Sequence, residues 1–153
     1  MELAKRFPFD GQSVSIHPKS DHTGPVTDIV HKGQFTSKLT GKKVNLGICS
    51  FGDDKSILGK HFLPFVVDDQ CEVIVVACHN LVEVIGNTYN FIDEVAFAND
   101  YRLISTSILR DDNARWKKAG LPLHHENNVN NVNGVNINEI FADNLINLIT
   151  SIV

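Results

Sequence analysis

The sequence predicts an α+β fold: a mostly antiparallel sheet of five or six strands with one amphipathic helix, at the C-terminal end, packed on one face. Three observations carry this expectation. In residues 43–50, Val44, Leu46 and Ile48 alternate with Asn45, Gly47 and Cys49, the period of two that marks a strand with one buried face. In residues 72–78, Val73, Ile74, Val75, Val76 and Ala77 run apolar on both faces, too short and too β-branched for a helix. Residues 137–152 repeat apolar side chains at the helical period.

Taken in order, residues 1–25 read as an irregular lead-in, punctuated by Pro8, Gly11, Pro18, Gly24 and Pro25. Residues 34–38 and 43–50 form a hairpin across the turn chemistry of Leu39, Thr40, Gly41 and Lys42. Asp53 or Asp54 caps a short helix through Ser56, Ile57 and Leu58, stopped by Gly59 and then Pro64. Phe65, Val66 and Val67 make a brief strand. Residues 72–78 are a central, doubly covered strand, followed by reversals at His79-Asn80 and Gly86-Asn87 around a strand at 81–85. Residues 88–99 fit two elements. Asn90 caps a helix with Asp93 and Glu94 at its positive end, whereas Tyr89, Phe91, Val95 and Phe97 would share a strand face; the helix is preferred. Residues 101–109, rich in Ile, Ser and Thr, read as a strand, and 111–120 as a polar stretch holding Trp116. The asparagines between 121 and 136 favour a loop with local turns.

The terminal helix carries the most specific pattern. Asn136 and Glu139 have capping-box spacing. Ile137, Phe141, Ala142, Leu145, Ile146, Leu148, Ile149, Ile152 and Val153 fill about half of its circumference, wider than the ~100° stripe that one core requires. Either the helix lies in a deep groove across the sheet, or part of the arc meets a second copy through Phe141, Leu145, Leu148, Ile149 and Ile152.

Length and charge bound the rest. The chain has 153 residues, of which 42% are hydrophobic and 21% charged; one domain over 1–153 is expected. No run approaches ~18 apolar residues, so no membrane span is expected. Between His61 and Tyr101 there is no Lys or Arg, which argues against a basic groove for nucleic acid. Lys5 and Arg6 are followed by no apolar run. Cys49, Cys71 and Cys78 make an odd set, so reduced thiols and a cytoplasmic setting are expected.

Candidate chemistry is sparse. Cys49 ends a strand between Gly47 and Gly52, as a nucleophile on a strand-to-turn elbow would. Cys78 ends another beside His79, although neighbouring strand residues point to opposite faces. Free cysteine is among the most buried residue types, so packing is the plainer account of both. His17, His22, His31, His124 and His125 show no zinc-ligand spacing, and neither a metal nor a cofactor is expected. The Asp53-Asp54, Asp68-Asp69, Asp93-Glu94 and Asp111-Asp112 neighbours fit solvated faces and helix starts. Phe35, Phe51, Tyr89, Phe91 and Trp116 are candidates for lining a small apolar pocket. The resulting expectation is a small, soluble, self-associating binding or interaction protein without catalytic chemistry, taking a small apolar ligand or a protein partner. A thiol-dependent hydrolase or transferase using Cys49 or Cys78 is the alternative.

Overall fold

The computed structural model describes residues 2–11, 14–16, 29–52, 55–78, 88–107, 110–126 and 137–153. The elements run α1 (Glu2–Arg6), β1 (Val14–Ile16), β2 (Val30–Thr36), β3 (Lys43–Cys49), α2 (Lys55–Val67), β4 (Val73–Val76), α3 (Thr88–Ala98), α4 (Arg110–Lys118) and α5 (Ile137–Ile152). The strands lie in the order β1-β2-β3-β4. β1 with β2 and β2 with β3 are antiparallel, while β3 and β4 are parallel, with Leu46 beside Val73 and Cys49 beside Val76.

This corrects the fold expected above. The sheet has four strands among the described residues instead of five or six, it is mixed, and more of these residues are helical than extended. The cause lies in 55–67. Gly59 and Pro64 do not stop a short helix, and Phe65, Val66 and Val67 form the last turn of α2 instead of a strand. Proline lacks the N–H that would reach the carbonyl of Lys60, but the helix continues for another turn. Its end is set by the N–H groups of Asp68 and Asp69, which donate to the Pro64 carbonyl at 3.0 and 2.9 Å. A helical crossover of this length returns the chain parallel to the strand it left, which makes β3–α2–β4 a parallel unit.

The hairpin does form. The Ser37 N–H donates to Lys42 O at 2.8 Å and Gly41 takes φ +68°, a conformation natural to glycine. Residues 101–107, expected as part of a strand, have no ladder; their bridge, Thr106 to His125, is parallel and isolated. In the stretch read as polar, Arg110–Lys118 is helical, and Trp116 is buried edge-on to Tyr89, ring centroids 5.5 Å apart. Helix α3 begins at Thr88, two residues ahead of the expected cap at Asn90. The lead-in contains α1 and β1. The expected reversals at 79–80 and 86–87, the strand at 81–85 and the asparagine tract at 127–136 lie outside the described residues.

Helices cover both faces of the sheet, the three-layer solution for a partly parallel sheet. On one face Val44, Leu46 and Ile48 of β3, Phe35 of β2 and the half-buried Val73 and Val75 of β4 meet Leu3 of α1, Phe7 just after it, and Ala142, Leu145 and Ile149 of α5. On the other, Val30, Cys49, Ile74 and Val76 meet Leu58, Phe62, Phe65 and Val66 of α2 and Ile92 of α3. Strand β3 therefore buries both faces, not one. Gly47 makes this possible: a Cβ there would stand 2.7 Å from the Phe65 ring. Strand β4 is covered on both sides as expected, but it is last in the sheet order instead of central.

Candidate functional site

The carboxyl ends of β3 and β4 lie side by side, and the chain leaves both at the same edge of the sheet. In open α/β sheets such an edge is where ligands settle, because the loops that leave the strands are free to vary while the strands hold them in place. Here the two exits are joined. Gly52 packs onto the backbone of Ala77 and Cys78 so closely that a Cβ would come within 2.9 Å of the Ala77 carbonyl carbon. The buried hydroxyl of Thr88, at the start of α3, donates to the Gly52 carbonyl at 2.8 Å. The Ile29 N–H donates to Ser50 Oγ at 2.7 Å, while the Ser50 N–H donates to Ile29 O at 3.0 Å, closing the β2 side of the same edge.

Aromatic rings frame this edge. Phe51 stacks on His61 of α2 with ring centroids 4.7 Å apart and an interplanar angle of 18°; both are half-buried. Burial lowers the His61 pKa, and Lys60 next to it adds to the shift, so the imidazole is neutral at physiological pH. Phe91 packs edge-on to Phe62 and receives the Lys55 ammonium over its face at 5.2 Å. Tyr89 and Trp116 close the α3 side. Burial raises the Tyr89 pKa, with the charges of Asp93 and Cys78 acting in the same direction, so the phenol is uncharged at neutral pH.

Of the residues singled out from the sequence, Cys49, Phe51, Cys78 and Phe91 share one apolar cluster on the α2 side. Tyr89 adjoins that group and Trp116 packs on Tyr89. Phe35 does not belong with them. It lies on the opposite face of the sheet, edge-on to Phe7. His79 lies outside the described residues. The expected contact set on α5 is divided: Leu145 and Ile149 face the sheet, Phe141 and Leu148 are half-buried, and Ile152 is 49% exposed.

The thiols of Cys71 and Cys78 are not activated. Burial pushes Cys78 up to about 11, and burial followed by the negative charge of Asp69 pushes Cys71 to about 11. Cys49 is buried at the end of β3. A thiolate nucleophile needs the opposite setting, a cationic or helix-terminal one that lowers the pKa.

A serine–histidine contact that sequence spacing did not single out lies elsewhere. Ser105 Oγ is 2.8 Å from His124 Nδ1, but that nitrogen accepts the N–H of Ser105 at 3.1 Å, and the hydroxyl is closer to Pro122 O, at 2.5 Å. With the His124 and His125 N–H groups donating to Ser105 O, the contact fastens 121–126 against 101–107 and leaves no base for the hydroxyl.

Two cavities lie away from the strand ends. One of about 170 Å³ is lined by Thr106, His125, Phe141 and Leu148 among others, and one of about 480 Å³ by Val66, Gln70, Tyr101 and Arg102 among others. Among the described residues no group of three or more His, Cys, Asp or Glu side chains is arranged to hold a metal, and no helix is long and apolar enough to cross a membrane. No protein-family model matches the chain, and no curated protein or solved structure shows significant similarity to it.

Proposed function

We propose that the protein binds a small, uncharged, ring-bearing ligand at the carboxyl ends of β3 and β4 and performs no covalent chemistry on it. The single observation that carries this reading is the joined exit of the two parallel strands, where Gly52 rests on Ala77 and Cys78 and the preceding residue, Phe51, stacks on His61. Sites for small ligands are mostly apolar with a few placed polar groups. His61 without its proton and the buried Tyr89 with its own add no charge of their own beside the rings, a setting that suits an uncharged, ring-bearing ligand. The thiol-enzyme alternative loses support because Cys78 is held protonated at neutral pH.

The test is a panel of uncharged aromatic fragments followed by ligand-observed NMR on the intact chain. Saturation transfer to ring-bearing fragments is expected, falling at least ~tenfold in affinity on Phe51→Ala through lost stacking area. Binding that is untouched by Phe51→Ala, or Cys78 alkylation that is fast below pH 7, would overturn the reading.

A further inference from the structure

We propose that the outer face of α2 is a dimer seam, on which two copies of this chain pair antiparallel across a two-fold axis, with Lys60 of each copy beside the partner's Asp68. The pairing does not rest on the proposed ligand site: its apolar contacts use the side of α2 that faces away from the sheet.

Helix α2 carries large apolar side chains on both its inner and its outer side. Leu58, Phe62, Phe65 and Val66 face the sheet. The outer side carries Ile57, Leu63 and Val67, which are 45%, 37% and 64% exposed, and the half-buried Pro64. A helix on the outside of a layered domain ordinarily shows water a polar face, and one that is hydrophobic all round is covered on every side. Ile57, Lys60, Pro64 and Val67 recur at intervals of three, four and three residues, the spacing by which one helix meets another along a seam.

Charge selects a second copy and fixes its direction. Lys60 is the charged residue in the middle of the seam, and Asp68 stands just past its C-terminal end. Neither side chain forms an ion pair within the chain among the described residues. A parallel pair would set Lys60 against Lys60. An antiparallel pair whose two-fold axis passes between Leu63 and Pro64 sets Lys60 opposite the partner's Val67 and one position from the partner's Asp68, and symmetry makes that ion pair twice. It also opposes the two helix dipoles. A lysine within an apolar seam specifies register at some expense of affinity.

The size of the seam sets its strength. Thirteen residues span about 20 Å, and one face of a single helix of that length covers less than the ~800 Å² per partner of a standard stable interface. The dimer is therefore weak, with a Kd on the order of 10–1000 µM.

Sedimentation equilibrium of the intact chain from about 10 µM to about 1 mM tests this directly. The mass is expected to rise toward twice that of the monomer. Lys60→Asp and Asp68→Lys should each weaken association about tenfold or more, and the double exchange should recover it to within about threefold. Val67→Lys should abolish it. All these positions are exposed, and circular dichroism checks that each variant is folded. A constant monomer mass across the range overturns the proposal and leaves the face to a different partner. So does a dimer that Val67→Lys does not weaken, or single charge variants that the double exchange fails to rescue.

Discussion

Helices α5 and α2 lie on opposite faces of the same sheet and are both rich in large apolar side chains, yet they end with different surfaces. On α5, Ala142, Leu145 and Ile149 are buried against the sheet, and Asp143 is held by both terminal and inner guanidinium nitrogens of Arg6 from α1 at 2.9–3.1 Å. On α2 the inner side is buried equally well, but the outer side presents Ile57, Leu63 and Val67 to solvent. An amphipathic helix needs one neighbour. A helix with large apolar side chains on both sides needs two, and among the described residues α2 has a covering layer on one side only.

The strongest way to break this comparison is to truncate side chains on both helices. Leu58→Ala, from a fully buried position, and Ile149→Ala, 3% exposed, should each cost about 2–5 kcal/mol through lost transfer energy and a residual cavity. Val67→Ala, on the outer side, should stay within about 0.5 kcal/mol. Urea midpoints measured at low protein concentration, where the chain is monomeric, decide it. A cost at Val67 similar to that at Leu58 would show that the outer face is covered within the monomer.

The two sides differ in chemistry as well, because Cys49 and Cys71 and the half-buried Cys78 belong to the α2 side while the α5 side holds no thiol. Cys71 and Cys78 are raised by burial from 9.0 to about 11. A folded pKa above the unfolded one means that the folded state holds its proton more tightly. The associated stability is complete below pH 9 and is lost as pH rises from 9 through 11. Each thiol then contributes a loss of about 1 kcal/mol per pH unit in that window. Melting temperature should therefore fall between pH 9 and 11, and Cys78→Ala should flatten the fall relative to wild type. A wild-type profile that is level to pH 11 would place these thiols in contact with water.

How much of this was legible in the sequence follows from the same contrast. The span of α5 and its apolar arc could be read because its polar residues mark one side. The strands at 43–49 and 73–76 could be read from alternation and β-branching, two signals local to a few residues. Of helix α2 only the start at Ser56, Ile57 and Leu58 could be read, because large apolar side chains on both sides blur the helical period and Gly59 with Pro64 looked like punctuation. Once that crossover is missed, the parallel pairing of β3 with β4 is missed with it, since the direction of a strand is set by what connects it. Residues 101–107 carry strand composition, yet hold their place by Tyr101 donating to Cys71 O at 2.6 Å and by Ser105, not by a ladder. The candidate site was partly visible. Cys49, Phe51, Cys78, Tyr89 and Phe91 were singled out as residues, but only parallel strands bring their ends together. His61 was passed over because a lone histidine in an apolar segment has no motif around it.

The smallest expected effect belongs to the α5 side and tests whether its polar surface matters to the fold. Arg6 donates from Nε to Asp143 Oδ1 at 3.1 Å and from one terminal nitrogen to both carboxylate oxygens at 2.9 Å, with Glu139 3.8 Å from the other. The geometry is bidentate, the form in which surface ion pairs are strongest. The side chains of Arg6 and Asp143 are nonetheless 37% and 51% exposed, so water and salt screen them. Helix α1 has only five residues and makes few intrahelical bonds of its own; Leu3 and Phe7 hold it to α5 through buried apolar area. Asp143→Ala should thus cost about 0.5 kcal/mol, a difference that shrinks as salt rises toward 1 M because the screening length falls to about 3 Å. Phe7→Ala, removing a buried aromatic from the same junction, should cost about 3–5 kcal/mol whatever the salt. If the two variants are equally damaging in urea titrations, the ion pair and not the apolar contact positions α1 on α5.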